Sequence, residues 1–180
     1  SDVRETHYRY NSDGDLEAFT DVSGGEWYYS YDGDHNLISI IDPRGIEIMQ
    51  MSYDSNGLFI GTADGYGNVT AVEHDIENAR EIITDPQGNR KIYGYDDKGY
   101  IGSEYFQAYD DMEEKLVKSW TYDSRGNEIT ETAYDKALSY TTYRQFDEKD
   151  NKTYELLPGA AFPKTWEYDA RSNLVKEQSA

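Results

Sequence analysis

The sequence predicts an all-β protein: an antiparallel repeat sheet of bulged hairpins, curved or spiralling, in about eight repeats of 21–27 residues. Three observations predict it. An aromatic residue (once His) followed by Asp or Asn recurs at Tyr10-Asn11, Tyr31-Asp32, Tyr53-Asp54, His74-Asp75, Tyr95-Asp96, Tyr122-Asp123, Phe146-Asp147 and Tyr168-Asp169, with spacings of 21, 22, 21, 21, 27, 24 and 22. A period in this range is the mark of a repeat architecture. Turn-forming residues stand at fixed offsets from each pair. The stretches between turns are about 6–7 residues, the length of a strand and too short for a typical helix.

Each repeat then follows in order. The strand that ends in the Tyr alternates in polarity, as in Trp27, Tyr29 and Tyr31, in Met49, Met51 and Tyr53, or in Lys118, Trp120 and Tyr122, because residues two apart share a sheet face. A turn follows the Tyr-Asp pair. Its third residue past the acid tolerates positive φ: Gly14, Gly57, Gly99 and Gly126, with His35, Asn78 and Ser172 in the same place elsewhere. The return strand opens on an apolar residue at Leu16, Leu37, Phe59, Ile101 and Leu174, from which Arg80 and Glu128 depart. A second turn closes the first four repeats, as in Asp42-Pro43-Arg44-Gly45 and Asp85-Pro86-Gln87-Gly88. Asp accepts backbone hydrogen bonds there, Pro presets φ, and Gly45 and Gly88 take the left-handed position. Successive tyrosines are expected to build a buried aromatic ladder, with Tyr31, Tyr53, Tyr95 and Tyr122 as its members.

The chain reads as one repeat domain over residues 1–180, regular over 1–105 and degenerate, with longer loops, over 106–180. From Tyr109 on, Tyr109-Asp110-Asp111-Met112, Tyr134-Asp135-Lys136-Ala137 and Leu157-Pro158-Gly159 stand where the second turn is expected.

Composition narrows the function. With 36 Asp+Glu against 17 Lys+Arg the net charge is −19, which argues against nucleic acid and anionic membrane as partners. No apolar stretch reaches the length of a membrane helix, and the opening residues lack the apolar run of a signal peptide. Cysteine is absent, which removes disulfides and thiolate metal sites. Hydrophobic content is 37%, yet 18 Tyr, 5 Phe and 3 Trp supply a core that an acidic disordered chain would lack.

The Tyr-Asp pair with Gly three residues on, an apolar residue after it and a second Asp-x-x-Gly turn resembles the Rhs or YD repeat. Tyr29-Ser30-Tyr31-Asp32 through Leu37 to Asp42-Pro43-Arg44-Gly45 carries the clearest match, and the likeness runs from Tyr8 to about Lys176. On that resemblance the repeat-defining residues are Tyr10, Tyr31, Asp32, Gly45, Tyr53, Asp54, Gly57, Gly88, Tyr95, Asp96, Gly99, Tyr122, Asp123, Gly126, Tyr168 and Asp169. The family includes bacterial polymorphic toxins, shell components of insecticidal toxin complexes, wall-associated bacterial proteins and teneurins. In the toxins its repeats coil one long sheet into a hollow shell around a cytotoxic segment. The resemblance therefore implies a structural, non-enzymatic shell segment of a larger secreted or cell-surface protein. Its partners would be neighbouring repeats or an enclosed polypeptide, with self-association through open sheet edges. Nothing after Tyr168 resembles the family's self-cleaving region.

Catalytic and cofactor chemistry finds no convergent set. His7, His35 and His74 lie in separate repeats, no Gly-x-Ser-x-Gly elbow occurs, and the turn aspartates are explained by turn chemistry. Asp32-x-Asp34-x-Asn36 has the opening of a calcium loop, but Leu37 and Pro43 stand where its Gly and Glu belong. No cofactor or metal is expected. The alternative function is a carbohydrate-binding or adhesion module, for which Tyr28, Tyr66, Tyr140 and Tyr154, outside the ladder, are the candidate ligand contacts.

Overall fold

The computed structural model describes residues 5–179; residues 1–4 and 180, the ends of the domain read from the sequence, lie outside them. Sixteen strands are hydrogen-bonded in sequence order, each antiparallel to the next, and the described residues contain no helix. The chain divides into two units by internal contacts: residues up to Glu73 with Ile83–Asn89, and His74–Ile82 with the residues from Arg90 on. The first holds β1 (His7–Tyr10), β2 (Leu16–Thr20), β3 (Glu26–Tyr31), β4 (Leu37–Ile41), β5 (Glu47–Tyr53), β6 (Phe59–Asp64) and most of β7 (Val69–Asp75). The division falls within β8 (Arg80–Thr84). The second holds β9 (Arg90–Tyr95), β10 (Ile101–Gln107), β11 (Lys115–Tyr122), β12 (Glu128–Asp135), β13 (Leu138–Phe146), β14 (Lys152–Leu156), β15 (Lys164–Tyr168) and β16 (Leu174–Gln178).

Both kinds of turn prove to be one structure. At Asp32 and at Asp85 alike, Oδ1 accepts the backbone N–H two and four residues on, at 2.9 and 2.9 Å and at 2.9 and 2.8 Å. The same pair of bonds forms at Asp21, Asp42, Asp54, Asp64, Asp96, Asp123, Asp147 and Asp169, and at Asn11 with the amide oxygen. Gly45 and Gly88 take φ of 77° and 87°, the left-handed region in which a Cβ is strained. His35 and Ser172 adopt it too, at 65° and 63°. In the fourth repeat the left-handed residue is Ala79, not Asn78, because β7 runs on through Asp75 and moves the turn one residue later.

Where Asn follows the turn Asp by four residues, its Nδ2 donates to Oδ2, and this bond above all holds the carboxyls of Asp32, Asp64, Asp85, Asp123, Asp147 and Asp169 below their ordinary value of 3.8. A depressed carboxylate stabilises the fold fully above its unfolded value and loses that contribution as pH falls through its folded one. Stability is therefore expected to drop below about pH 4 in six places together, and Asp→Asn at these turns should flatten that drop. Urea midpoints between pH 2 and 6 measure it.

A second irregularity repeats with the turn. Tyr31 pairs with Leu37 while Ser30 pairs with Ser39, so Ile38 is left over as a β-bulge. The same step leaves Glu17, Ile60, Gly102, Ile129, Thr153 and Val175 as bulge residues. The residue that opens the return strand is thus the cross-strand partner of the repeat aromatic: apolar in cases such as the Tyr53–Phe59 ring pair at 5.8 Å, but Glu128 opposite Tyr122 and Lys152 opposite Phe146. This corrects the ladder. Successive repeat tyrosines are two strands apart, roughly 9–10 Å; Tyr53 meets the ring of its partner Phe59 and Tyr122 stacks on Tyr100 at 4.8 Å.

Their hydroxyls make the link between repeats instead. Tyr53 donates to the Leu37 carbonyl at 3.0 Å, Tyr122 to Ile101 at 2.9 Å and Tyr168 to Lys152 at 3.0 Å, in each case the first residue of the neighbouring strand that opens the preceding repeat's return. Tyr53→Phe or Tyr122→Phe should cost about 0.5–1.5 kcal/mol in a urea melt, the worth of one hydrogen bond, with the ring contacts kept.

Little of this is buried. Tyr31, Tyr53 and Tyr122 are half-buried and Tyr95 is 37% exposed, against the expectation of a buried ladder. Among the described residues the buried apolar side chains are Ala18, Ile82 and Ile92. The physical reason is that strands within each unit pack against their sequence neighbours, and among the described residues of either unit no second layer covers that unit's faces. In the late repeats β12 and β13 meet in a two-residue turn at Lys136-Ala137, so Tyr134 lies within a strand and the extra length there lengthens the strands. Residues 108–114 and 157–163 form longer connections.

Candidate functional site

The surfaces a single layer presents are its two faces, and alternation sorts the residues between them. In the first unit one face carries Tyr8, Phe19, Trp27, Tyr29, Ile40, Met49 and Met51, joined by direct cross-strand pairing from β1 to β5. Tyr8 and Phe19 rings stand 5.1 Å apart. The opposite face is built of small residues at the middle of the strands: Ala18, Ser30, Ser39, Ser52, Gly61 and Ala71. Tyr8 and Met49 remain exposed, so the bulky face is an apolar surface without a covering partner among the described residues of this unit.

The second unit bears charge on the face of its repeat tyrosines. Lys91 pairs with Glu104 at 3.4 Å, Lys118 with Glu131 at 3.1 Å, and Glu131 with Arg144 at 3.3 Å. Arg144 goes on to Glu155 at 3.1 Å, and Glu104 and Lys118 are direct cross-strand partners, as are Glu155 and Lys164. Base and acid therefore alternate strand by strand from β9 to β15. Lys118 lies over the Trp120 ring at 5.9 Å and Lys152 over Trp166 at 4.5 Å. Hydrogen bonds from Lys118 and Arg144 hold the Glu131 carboxyl below its usual value against the effect of burial. On the other face hydroxyls pair across strands, Thr121 with Thr130 at 2.6 Å and Thr132 with Thr141 at 3.0 Å. Exposed pairs of this kind contribute little one by one; their continuity gives a polar, self-satisfied surface.

Of the tyrosines expected to touch a ligand, Tyr28 and Tyr66 belong to the first unit and Tyr140 and Tyr154 to the second. Tyr28 donates its hydroxyl to Glu26 at 2.8 Å in β3, and Tyr66 projects from the β6–β7 turn, 95% exposed. In the second unit Tyr154 pairs with Gln145, which shares a face with Tyr143 and Thr141, so Tyr140 lies on the opposite face. In the Asp32 loop, Asp32 Oδ1 accepts the N–H groups of Asp34 and Asn36 and its Oδ2 accepts the Asn36 amide. His35 and His74 each pair with a carboxylate, Asp15 at 2.9 Å and Glu81 at 2.7 Å.

Two functional patterns escaped the sequence reading. The Asn four residues past the turn Asp was legible, at Asn36, Asn68, Asn89, Asn127, Asn151 and Asn173. The charge ladder was not, because its spacing follows strand and loop lengths that vary between repeats.

The comparisons agree with this architecture. A family model described as RHS Repeat matches residues 5–47. The crystal structure of TcdB2-TccC3 without its hypervariable C-terminal region is similar over 94% of this chain and 10% of that one, with 19% identity and a TM-score of 0.71. The crystal structure of TcdB2-TccC3 gives 19% and 0.70 over the same shares. The Photorhabdus luminescens Tc holotoxin pore with a mutated TccC3 gives 19% and 0.69, again over 94% and 10%. The chain thus spans about a tenth of the length of these structures. No curated protein matches the sequence.

Proposed function

We propose, from the RHS repeat matched at residues 5–47 and the likeness of fold to Tc toxin structures, that the chain is a structural segment of a shell wall in a larger secreted toxin-like protein, with an enclosed polypeptide on one side. The role is non-catalytic. The observation that carries this reading is that each unit is a single layer of strands: the described residues bury Ala18, Ile82 and Ile92 as apolar core, and layers packed so thinly call for continuation or cover. Strands β1 and β16 end the order, and a sheet edge is a template for a further strand. Neighbouring repeats are the natural occupants of these edges, as the turn, bulge and Tyr hydroxyl link recur from repeat to repeat and need only another hairpin to continue.

Electron microscopy of the natural full-length product tests the proposal. A hollow particle whose wall contains this segment is the expected result. A free-standing domain outside any wall, or a solid fold with a second layer packed on the segment, would overturn it.

A further inference from the structure

The repeat explains almost every side chain near a turn, so the place where several repeat rules fail at once stands out. It is a cleft of about 510 Å³ in the second unit, lined by Arg80, Gly94, Tyr95, Asp96, Ser103 and Tyr105 among others. Arg80 occupies the position that holds Leu16, Leu37, Phe59, Ile101 or Leu174 in other repeats. Gly94 precedes the repeat Tyr where Arg9, Ser30, Ser52 and Thr121 stand elsewhere. Gly102 is the bulge residue that is Ile38, Ile60 or Ile129 in other repeats. The two glycines lower the floor of the cleft.

Groups that other repeats consume internally are unspent here. Tyr100 stands where the Asn that binds the second turn oxygen belongs, and among the described residues no group bonds Asp96 Oδ2. The Tyr95 hydroxyl, like that of Tyr31 and unlike those of Tyr53, Tyr122 and Tyr168, makes no bond to a strand carbonyl among the described residues. The cleft already holds one guanidinium: Arg80 pairs with Glu114 and lies 5.7 Å over the Tyr105 ring. With Arg80 so engaged, Asp96, the Tyr95 and Ser103 hydroxyls and the ring faces leave a surplus of acceptors, beside Glu81 on the adjoining strand. Anions are repelled, and a second organic cation is attracted by carboxylate and ring together.

We propose that this cleft receives the cationic end of an arginine or lysine side chain from a polypeptide. The site stands independently of the shell reading.

The test is an NMR titration of the chain, observing the amides of Gly94, Gly102 and Ser103. The probes are an end-capped tripeptide with arginine between two glycines, the same peptide with uncharged citrulline, and spermidine. Two variants keep the fold by using residues that other repeats carry. Asp96→Asn retains the turn, since Asn11 makes the same bonds. Gly102→Ile fills the cleft with the usual bulge residue, and its Cβ meets no atom closer than 3.8 Å. Saturable shifts with the arginine peptide are expected, weakened about tenfold by Asp96→Asn and abolished by Gly102→Ile, with no response to citrulline. Equal response to citrulline, shifts that survive Gly102→Ile, or no saturable shift would overturn the proposal, and tighter binding of spermidine would assign the site to a free polyamine instead of a polypeptide.

Discussion

Replacing Ile92 with Ala is expected to lower the unfolding free energy by about 2–5 kcal/mol, the range for a truncated core residue. Ile92 is 0% exposed, at the centre of β9. Its cost should sit high in that range because few other side chains in the unit are available to close over the cavity. Tyr66→Ala, at a fully exposed turn, should fall within about 0.5 kcal/mol of the parent protein. Tyr95→Ala is expected between the two, as its ring is partly in water. Urea melts of the three variants measure the order, and a Tyr95 loss as large as that of Ile92 would restore the buried ladder.

Gly61→Val is expected to be the most damaging change in the first unit. Gly61 has φ of 151°, and a Cβ there would press into the backbone carbonyl of Thr70 on β7. Backbone cannot yield as a flexible side chain can, so β6 and β7 must separate or the strand must bend, at about 2–4 kcal/mol from overpacking and strain together. By contrast Gly57→Ala, in a turn with open space around it, meets only the left-handed strain of roughly 1–2 kcal/mol. Thermal melts that ranked the two alike would show that β7 approaches less closely than described.

How much of this was legible in the sequence differs by the range of the interaction. Turns are local: Asp, Pro and Gly within five residues determine them, and Asp42-Pro43-Arg44-Gly45 reads directly as the turn it forms. The bulge was legible as a recurrent offset, for Leu37 and Phe59 stand where the strand must resume pairing after the extra residue. Burial was not legible. Aromatic alternation such as Trp27-Tyr28-Tyr29-Ser30-Tyr31 marks a face suited to packing, but whether a layer lies over it depends on residues far away or on another chain. The same holds for the candidate cleft: Arg80, Gly94 and Gly102 read as scattered departures until the pairing of β9 with β10 brings the two glycines together.

The strand order has a mechanical consequence. Within each unit every strand is bonded to its neighbours in sequence, so tension applied to the two ends of the polypeptide loads the ladder bonds one rung at a time, as a zipper is opened, and not all together in shear. Hairpins should then peel away singly, at low force and in a fixed order. Each hairpin released leaves a new edge equivalent to the last, with its Asp turn closed by bonds that cross no other strand.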